Sequence, residues 1–499
     1  MRERVTFVQG PGADFDPTAL SIKDSGLQGP NLEASRQDRL TFELDELPQG
    51  LAGLLKGYRE LHLKWTSPLN YDTVDPFSSR TSPGLHVFCT PSTRAAHDPL
   101  VQSSSPACRH TDGTQRAALL TLADARRTGL HADPQSLYFF QQLEDLSALV
   151  SDSDKHRLCP KTDSLCQKRL RALSTAATVD LSYGVASGTI KISAFWPLKE
   201  RAVDVSRLSK QRTEVGIFAK DAPPNIEPHE LGVSGLLAVL GEQTEPSPAL
   251  FSYPSRHRRS DASFSSQFLT PAGLHPTLQL RISSNKPPVP DAECALHAYF
   301  TFPKFIFADR YQYEDKLFLA SKNLTASRYA SLPVDLEAPA YTTNTWGSTV
   351  LLELAPPVSD EGSAWTAEMP LHLRYLEPSA SGYVPIEVPY PAVFWACDSG
   401  TDADFSTNPF DRMQLGYDEL FDSQAMFWHL TPRPESGNRI MSPMAVPVLK
   451  TAGEDWVGIG TALAVGLGFA WVLWKLVGVY VAGGYRAKPA TTSRDKKDK

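Results

Sequence analysis

The longest apolar stretch of this chain is WVGIGTALAVGLGFAWVLWKLVGVYVA (residues 456–482), and Lys475 is its only charged residue. An α-helix rises about 1.5 Å per residue, so about 20 residues cross the hydrocarbon core of a bilayer. The uncharged part, Trp456–Trp474, is just long enough. A helix that continues to Ala482 must tilt, or the Lys475 amine must reach the membrane surface. The sequence therefore predicts one transmembrane helix over 456–482.

The charges on either side of this stretch indicate its orientation. Acidic Glu454 and Asp455 precede it, whereas the tail that follows, residues 483–499, is basic. Because basic flanks stay in the cytosol, we expect a cytosolic tail and a large N-terminal part in the lumen. Lys496 and Lys497 have the spacing from the C-terminus of a dilysine signal for retrieval to the endoplasmic reticulum. The alternative is a solvated basic end that only helps to fix the orientation.

Small residues recur at every fourth position inside the apolar stretch. They are Gly458, Ala462, Gly466 and Ala470, and a second row repeats the spacing two residues later. Such a row gives a flat helix face that lets another membrane helix approach closely. We expect a packing face for a second membrane protein, and the alternative is an anchor that is merely rich in glycine and alanine.

The N-terminus argues against the lumenal placement. Met1–Phe7 (MRERVTF) has no apolar core of the kind found in a secretory signal peptide. That absence favours a tail-anchored protein whose large part is cytosolic. The basic charge lies on the wrong side of the stretch for that topology, so we expect the lumenal arrangement.

Composition bounds the fold and excludes one class of function. The chain has 499 residues, 41% of them hydrophobic, which is enough for two or three domains with real cores. Its 40 prolines break up long helices. A net charge of −7 argues against a nucleic-acid-binding protein. We expect a mainly β fold with β-sandwich-like lumenal domains, minor helices and the one C-terminal transmembrane helix.

Six cysteines and one asparagine are relevant to whether the large N-terminal part lies in the lumen. Six cysteines allow three disulfides in any of 15 connectivities. Cys159 with Cys166 would close a short loop, and Cys294 with Cys397 would join the two ends of the C-terminal domain. Six unpaired thiols remain the alternative. Asn323 begins the only acceptor tripeptide for N-glycosylation, NLT.

Residues 1–230 form the first predicted region, which is rich in short strands. Leu61, Leu63 and Trp65 alternate with His62 and Lys64, and this period of two predicts a strand with one buried and one exposed face. Short helices are predicted near 117–150. There Asp133-Pro134 resembles a helix start, and apolar residues from Leu137 to Leu149 recur every third position.

Two further regions complete the predicted organisation. Residues 231–269 are predicted to connect the domains, and they contain a polar, basic loop around Arg256-His-Arg-Arg259. Residues 270–445 show regular short alternating runs separated by glycine, proline and serine. This pattern is typical of a β-sandwich. The runs include Leu278–Ile282 and Ser348–Leu354.

Motifs with catalytic chemistry are weak in this sequence. It contains no Gly-x-Ser-x-Gly elbow, no phosphate-binding glycine loop, and no His-Glu-x-x-His or paired Cys-x-x-Cys zinc motif. Asp402-Ala-Asp404 and Asp152-Ser-Asp154 resemble the Asp-x-Asp motif of some glycosyltransferases, but no alternating strand and helix pattern accompanies them. We therefore expect no catalytic residues, no metal site and no cofactor.

A set of short motifs in the C-terminal region resembles a known family. In chain order they are CALHAY (294–299), PKFIFADRYQ (303–312), PLHLRY (370–375), GY (382–383) and PYPAVFWAC (389–397). Arranged in this order before one terminal span, they resemble the PIG-X family over roughly 270–400 and the span. The long N-terminal part resembles the fungal branch of that family, the protease B nonderepressible proteins.

This resemblance implies a non-catalytic, chaperone-like subunit of the glycosylphosphatidylinositol (GPI) mannosyltransferase I complex in the endoplasmic reticulum membrane. Such a subunit stabilises a multi-spanning catalytic partner of the PIG-M type. That partner adds the first mannose to the GPI precursor from dolichol-phosphate-mannose. The alternatives are a general lumenal chaperone or processing factor for secretory proteins, and a glycosyltransferase in its own right.

Overall fold

The computed structural model describes residues 1–483 apart from the following positions: 11, 13–14, 48, 93–125, 128–135, 148–163, 208–210, 222–224, 291, 332–334, 344 and 358–361. The chain divides into two compact units. The first contains Met1–Leu376 and Pro385–Met444, and the second contains Glu377–Val384 and Ala445–Lys499.

The larger sheet has twelve strands and occupies the N-terminal half of the first unit. Its strands are β1 (Arg2–Gln9), β2 (Ser21–Lys23), β3 (Gly26–Glu43), β4 (Tyr58–Thr66), β5 (Gly84–Pro91), β6 (Arg126–Arg127), β7 (Leu137–Gln141), β8 (Thr178–Gly184), β9 (Thr189–Ser206), β10 (Arg212–Asp221), β11 (Glu230–Val239) and β12 (Ser247–Pro254). Their order is β12-β11-β10-β1-β3-β9-β8-β4-β5-β7-β6, and β2 pairs with β3. Of the described pairings, β1 with β10 is parallel and β3 with β9 is the longest antiparallel one.

The second sheet has eight strands, and two small sheets accompany it. The remaining strands are β13 (His257–Phe268), β14 (Thr277–Ile282), β15 (Cys294–Pro303), β16 (Ile306–Phe307), β17 (Leu324–Ala330), β18 (Gly347–Leu354), β19 (Trp365–Pro370), β20 (His372–Leu373), β21 (Tyr383–Pro389), β22 (Ala392–Asp398), β23 (Ala425–Pro432) and β24 (Met441–Pro447). The eight-stranded order is β17-β18-β15-β22-β23-β13-β14-β19, while β16 pairs with β20 and β21 with β24.

Helices are few among the described residues. They are α1 (Gln49–Leu55), α2 (Ser164–Ala172), α3 (Lys316–Ser321) and α4 (Glu454–Val481). Helix α3 begins where the Asp315 carboxylate accepts hydrogen bonds from the backbone N–H groups of Leu317 and Phe318. The protein is thus mainly β, with several sheets and one long apolar C-terminal helix, as the sequence predicts.

Alternation of apolar side chains accounts for the strands that were predicted correctly. In β14, Leu278, Leu280 and Ile282 are buried, whereas Arg281 between the last two is exposed. Strand β18 is instead buried along its whole length, because both of its faces are covered, although Ser348, Thr349 and Glu353 are polar.

The predicted helix near 117–150 is wrong at Leu137–Gln141, which forms strand β7 beside β5. Tyr138, Phe139 and Phe140 are all buried. A strand covered on both faces gives consecutive apolar residues, and that run also fits a helical spacing of three. Most of the remaining stretch lies outside the described residues.

The polar, basic loop predicted around Arg256-His-Arg-Arg259 within the connecting region 231–269 is also wrong, because β13 begins at His257 and continues to Phe268. The arginines in this segment do not simply project into solvent. The Arg256 guanidinium donates to the carbonyls of Ala425 and Asp422 at 2.9 and 2.7 Å, and Arg258 donates to the carbonyl of Glu230. Guanidinium donors that satisfy backbone carbonyls let a basic segment form a strand.

Aromatic contacts join the two large sheets within the first unit. The Trp346 indole N–H, next to β18, donates to the carbonyl of Tyr138 in β7 at 3.0 Å. The two rings pack edge to face at 5.0 Å. Phe410, between β22 and β23, packs in the same way on Phe77 at 5.7 Å. The region 270–445 therefore contributes side chains to the core of the N-terminal sheet.

Candidate functional site

The long C-terminal helix is the first candidate. Thr451–Val481, a 3₁₀ turn (Thr451–Gly453) followed directly by α4, is the one described helical stretch that is long and apolar enough to cross a membrane. The apolar residues of α4 from Trp456 to Val481 are exposed. The helix begins at Glu454 and ends at Val481, close to the predicted bounds of 456–482.

The predicted packing face of α4 lies open. Around Gly458 and Gly466, and likewise around Gly460 and Gly468 of the second row, no atom other than those of the adjacent residues and the backbone of α4 comes within 4 Å of the place that a side chain would occupy. Residues four apart share one side of a helix, so Ala462 and Ala470 extend the row of Gly458 and Gly466. The role of this face in binding a partner stays a prediction.

Lys475 lies among indole rings near the C-terminal end of α4. Its amine is 5.1 Å from the ring centroid of Trp474 and 6.0 Å from that of Trp471. Cation–π attraction at these distances favours an amine held beside the aromatic rings.

A buried cluster of charges in the first unit is the second candidate. The Arg412 guanidinium binds the Asp180 carboxylate through two hydrogen bonds of 2.6 and 2.9 Å. The amine of Lys64 lies 3.6 Å from the same carboxylate. Lys64 is on β4 and Asp180 on β8, whereas Arg412 follows β22. The cluster therefore connects the first sheet to the segment between β22 and β23.

The charges in this cluster stabilise one another. Burial acts to raise the pKa of Asp180, but Arg412 and Lys64 outweigh it and hold that pKa below its usual value. Burial lowers the pKa of Lys64, and Asp180 opposes that effect. Because both Asp180 oxygens bind Arg412, the arrangement is a structural bidentate pair.

Several histidines are buried as neutral rings. Nδ1 of His257 lies 3.0 Å from Nε2 of His429 where β13 and β23 pair in parallel. Nδ1 of His86 meets the Tyr138 hydroxyl at 2.8 Å, and its Nε2 meets the carbonyl of Ser82 at 2.7 Å. Both ring nitrogens of His86 are thereby satisfied inside the protein, whereas Nδ1 of His429 is buried without a hydrogen-bond partner among the described residues.

The two aspartates of the weak Asp-x-Asp motif have local structural contacts. Asp404 caps a short 3₁₀ helix and accepts from the Ser406 N–H at 3.0 Å and from the Ser406 hydroxyl at 2.6 Å. Asp402 accepts from the Gln424 amide at 3.1 Å. Asp152 and Asp154 lie outside the described residues.

The described cysteines of the predicted pairs are Cys294 and Cys397, on the second sheet, and Cys166, in α2. Cys294 on β15 and Cys397 on β22 are opposite each other and form a disulfide. Cys166, in α2, is also disulfide-bonded, and Cys159 lies outside the described residues. Asn323 is exposed, and its amide nitrogen donates to the carbonyl of Thr366 at 2.7 Å.

The predicted retrieval signal and a metal site are the remaining candidates. The retrieval-signal lysines, Lys496 and Lys497, lie outside the described residues. No group of three or more His, Cys, Asp or Glu side chains is arranged to hold a metal ion in the part of the chain that the structure describes.

Sequence reasoning missed the charge cluster because Lys64 sits at an alternating polar position of β4. That position predicted an exposed face, yet Lys64 is only 1% exposed and His62 only 5%. Both faces of β4 are covered, and the lysine is paired with a residue more than a hundred positions away. The one indication in the sequence that Lys64 is buried was its position between an aliphatic residue, Leu63, and an aromatic residue, Trp65.

Comparison with known proteins identifies the family of this mainly β protein, which ends in an apolar helix. A family model described as PIG-X / PBN1 matches residues 271–477, from the segment before β14 into α4. Protein PBN1 of Gibberella zeae is 49% identical over 505 aligned residues, which cover 100% of both chains. Protein pbn1 of Neurospora crassa is 46% identical over 100% of this chain and 99% of its own. The chain belongs to the PIG-X/PBN1 family.

We expect the Asp180→Asn variant to lose about 3–5 kcal/mol of stability, because Arg412 and Lys64 would remain buried without a counter-charge. Denaturant unfolding of the purified full chain in detergent measures this. The control is Glu314→Gln, which removes an exposed ion pair with Arg310 and should cost less than about 1 kcal/mol. Equal effects of the two substitutions would contradict a structural role for the cluster.

Buried imidazoles also make stability depend on pH. Burial lowers the pKa of His86 and His297 to about 4 and that of His429 to about 3. An unfolded imidazole takes up its proton near pH 6.5, whereas these folded rings stay neutral until about pH 4. The unfolded state therefore binds more protons in between, and stability is lost as the pH falls from 6.5 toward 4.

Asp411 has the opposite effect on stability. Burial, and after it the charge of Asp418, raises the pKa of Asp411 to about 6, so the folded state takes up this proton at a higher pH than the unfolded state does. A single-residue comparison removes that complication. We expect the free energy of unfolding of the His429→Gln variant to fall less steeply than that of the wild type. The difference should be about 1.4 kcal/mol per pH unit between pH 6 and 4. Parallel pH profiles would show that His429 titrates normally in the folded protein.

Proposed function

We propose that this chain is a non-catalytic, chaperone-like subunit of GPI mannosyltransferase I in the endoplasmic reticulum membrane. Family membership over the full length of the chain is the observation that carries the proposal. The partner is a multi-spanning catalytic subunit of the PIG-M type, which transfers the first mannose from dolichol-phosphate-mannose to the GPI precursor.

The contacts of the charged residues support an accessory role. Asp180, Lys64 and Arg412 bind one another across secondary-structure elements, and Asp404 caps a turn of 3₁₀ helix. These carboxylates and bases therefore hold the fold together. One apolar helix also provides little membrane structure in which to bind a polyprenyl-phosphate sugar, so that site belongs to the multi-spanning partner.

Stabilisation of the partner follows from mass action. A protein that binds only the folded form of its partner draws the folding equilibrium toward that form. In lipid the hydrophobic effect does not drive helices together, so close packing of small residues carries more of the association. The open row of Gly458, Ala462, Gly466 and Ala470 on α4 suits this contact.

The proposed topology has the β-rich part in the lumen and residues 483–499 in the cytosol. The Cys294–Cys397 disulfide supports it, because structural disulfides persist in oxidising compartments. Lys496 and Lys497 would then face the coat proteins that return vesicles to the endoplasmic reticulum.

The packing face generates the first test. We expect Gly466→Ile with Ala470→Ile to reduce co-purification of the catalytic subunit and its abundance in cells. A loss of 1–2 kcal/mol in helix packing changes the binding constant by about 5–30-fold. Leu467→Phe, which adds bulk on another side of the helix, should leave both quantities unchanged.

Other outcomes identify the alternatives. A general lumenal chaperone acting through its β-sheets would tolerate the helix substitutions. A glycosyltransferase would lose mannosylation in the Asp402→Ala, Asp404→Ala double variant while the abundance of the catalytic subunit stays normal.

Asn323 generates the second test, which concerns topology. We expect glycosidase treatment to increase the gel mobility of the wild type but not that of the Asn323→Gln variant. Protease added to sealed microsomes should remove only a small C-terminal fragment. Digestion of the large N-terminal part would show that it faces the cytosol and would exclude the proposed arrangement.

A further inference from the structure

Two histidines meet at a short antiparallel pairing in the second half of the first unit. The N–H of Leu371 donates to the carbonyl of Pro276 at 2.8 Å, and the N–H of Leu373 donates to that of Leu274 at 3.0 Å. His275 and His372 lie between these bonds and are directly opposite each other. Opposed side chains between flanking hydrogen bonds approach closely in antiparallel strands.

The two rings are in contact. Their Nδ1 atoms are 3.1 Å apart, the ring centroids are 4.6 Å apart and the ring planes are nearly perpendicular at 86°. The His372 ring is held from another side by Phe307, its partner in the β16–β20 pairing, which stacks on it at 5.5 Å. His275 is exposed, so the pair is accessible from solvent.

We propose that His275 and His372 form a binding site for a divalent transition-metal ion of the zinc type. Two imidazole nitrogens bound to one tetrahedral Zn²⁺ at about 2.0–2.1 Å lie about 3.3 Å apart. The observed separation of 3.1 Å is close to that spacing. Backbone hydrogen bonds on both sides of the pair set the spacing in advance, so little side-chain ordering is required on binding.

The chemistry of the pair selects the class of ion. Neutral imidazole suits zinc, copper and nickel, whereas magnesium and calcium prefer oxygen ligands. Among the described residues no third His, Cys, Asp or Glu completes the group, so water fills the remaining coordination positions. Burial and then the neighbouring His275 lower the pKa of His372.

Metal binding requires one proton to move. Without metal, one Nδ1–H donates to the other Nδ1. With metal, both Nδ1 lone pairs bind the ion and each ring carries its proton on Nε2. The bound ion would hold the connection between β13 and β14, which contains His275, against β20. This inference does not depend on the proposed subunit function.

Zinc titration of the full chain tests the site. Protein in detergent is first freed of metal with a chelator, and ZnSO₄ is then added in a calorimeter. We expect the wild type to bind one more equivalent of Zn²⁺ than the His275→Gln, His372→Gln double variant, and each single variant to lose that equivalent. The control, His229→Gln, removes a histidine whose Nδ1 meets the Thr401 hydroxyl at 3.1 Å, and should retain it.

A spectroscopic readout separates metal binding from a change in folding. Cu²⁺ added to the wild type should give an electron paramagnetic resonance spectrum with hyperfine structure from two nitrogens, and the double variant should lack it. Far-UV circular dichroism shows whether the variants keep the β structure. Equal zinc stoichiometry in the wild type and a folded double variant overturns the proposal and leaves the pair as a hydrogen bond between rings.

Discussion

The buried pair of Arg412 with Asp180 is the interaction on which the first unit depends. It joins a segment between β22 and β23 to strand β8 of the other large sheet, and the amine of Lys64 on β4 lies 3.6 Å from the same carboxylate. Removing ions from water is costly, and only excellent geometry with further hydrogen bonds offsets that cost. The two bonds to Asp180 and the bond from Arg412 to the carbonyl of Ser79 meet this requirement. Both partners come from segments far apart in the chain, so the pair exists only once both sheets have formed.

Contacts between the region matched by the family model and the N-terminal sheet relate the family match to the fold. The matched region begins at residue 271, but its side chains fill the core of the sheet that precedes it. Trp346 packs on Tyr138, and the Tyr417 hydroxyl donates to the carbonyl of Arg80. Full-length similarity to the fungal relatives agrees with a long N-terminal part that is structurally inseparable from the matched region. Both regions belong to the same compact unit of the proposed partner-stabilising subunit.

Prediction from sequence was most direct where one face of a strand is buried, whereas strands buried on both faces were read correctly at β18 and wrongly at β7. Leu278–Ile282 was read correctly because its alternation reflects one covered face. Leu137–Gln141 was read as helix, since a strand buried on both faces loses its period of two. The basic run at 256–259 was read as a loop. Its arginines in fact donate to backbone carbonyls, including those of Ala425 and Glu230, which the local sequence does not reveal.

The sequence by itself determined the mainly β class, the position of the apolar helix, its expected orientation and the family motifs. Each of these rests on local composition, periodicity or flanking charge, which neighbouring residues carry. Only the tertiary structure decided which buried charges pair, that Lys64 lies inside, and that His275 meets His372. These contacts join residues many tens of positions apart. Their partners are fixed by strand order and register, which no local pattern encodes.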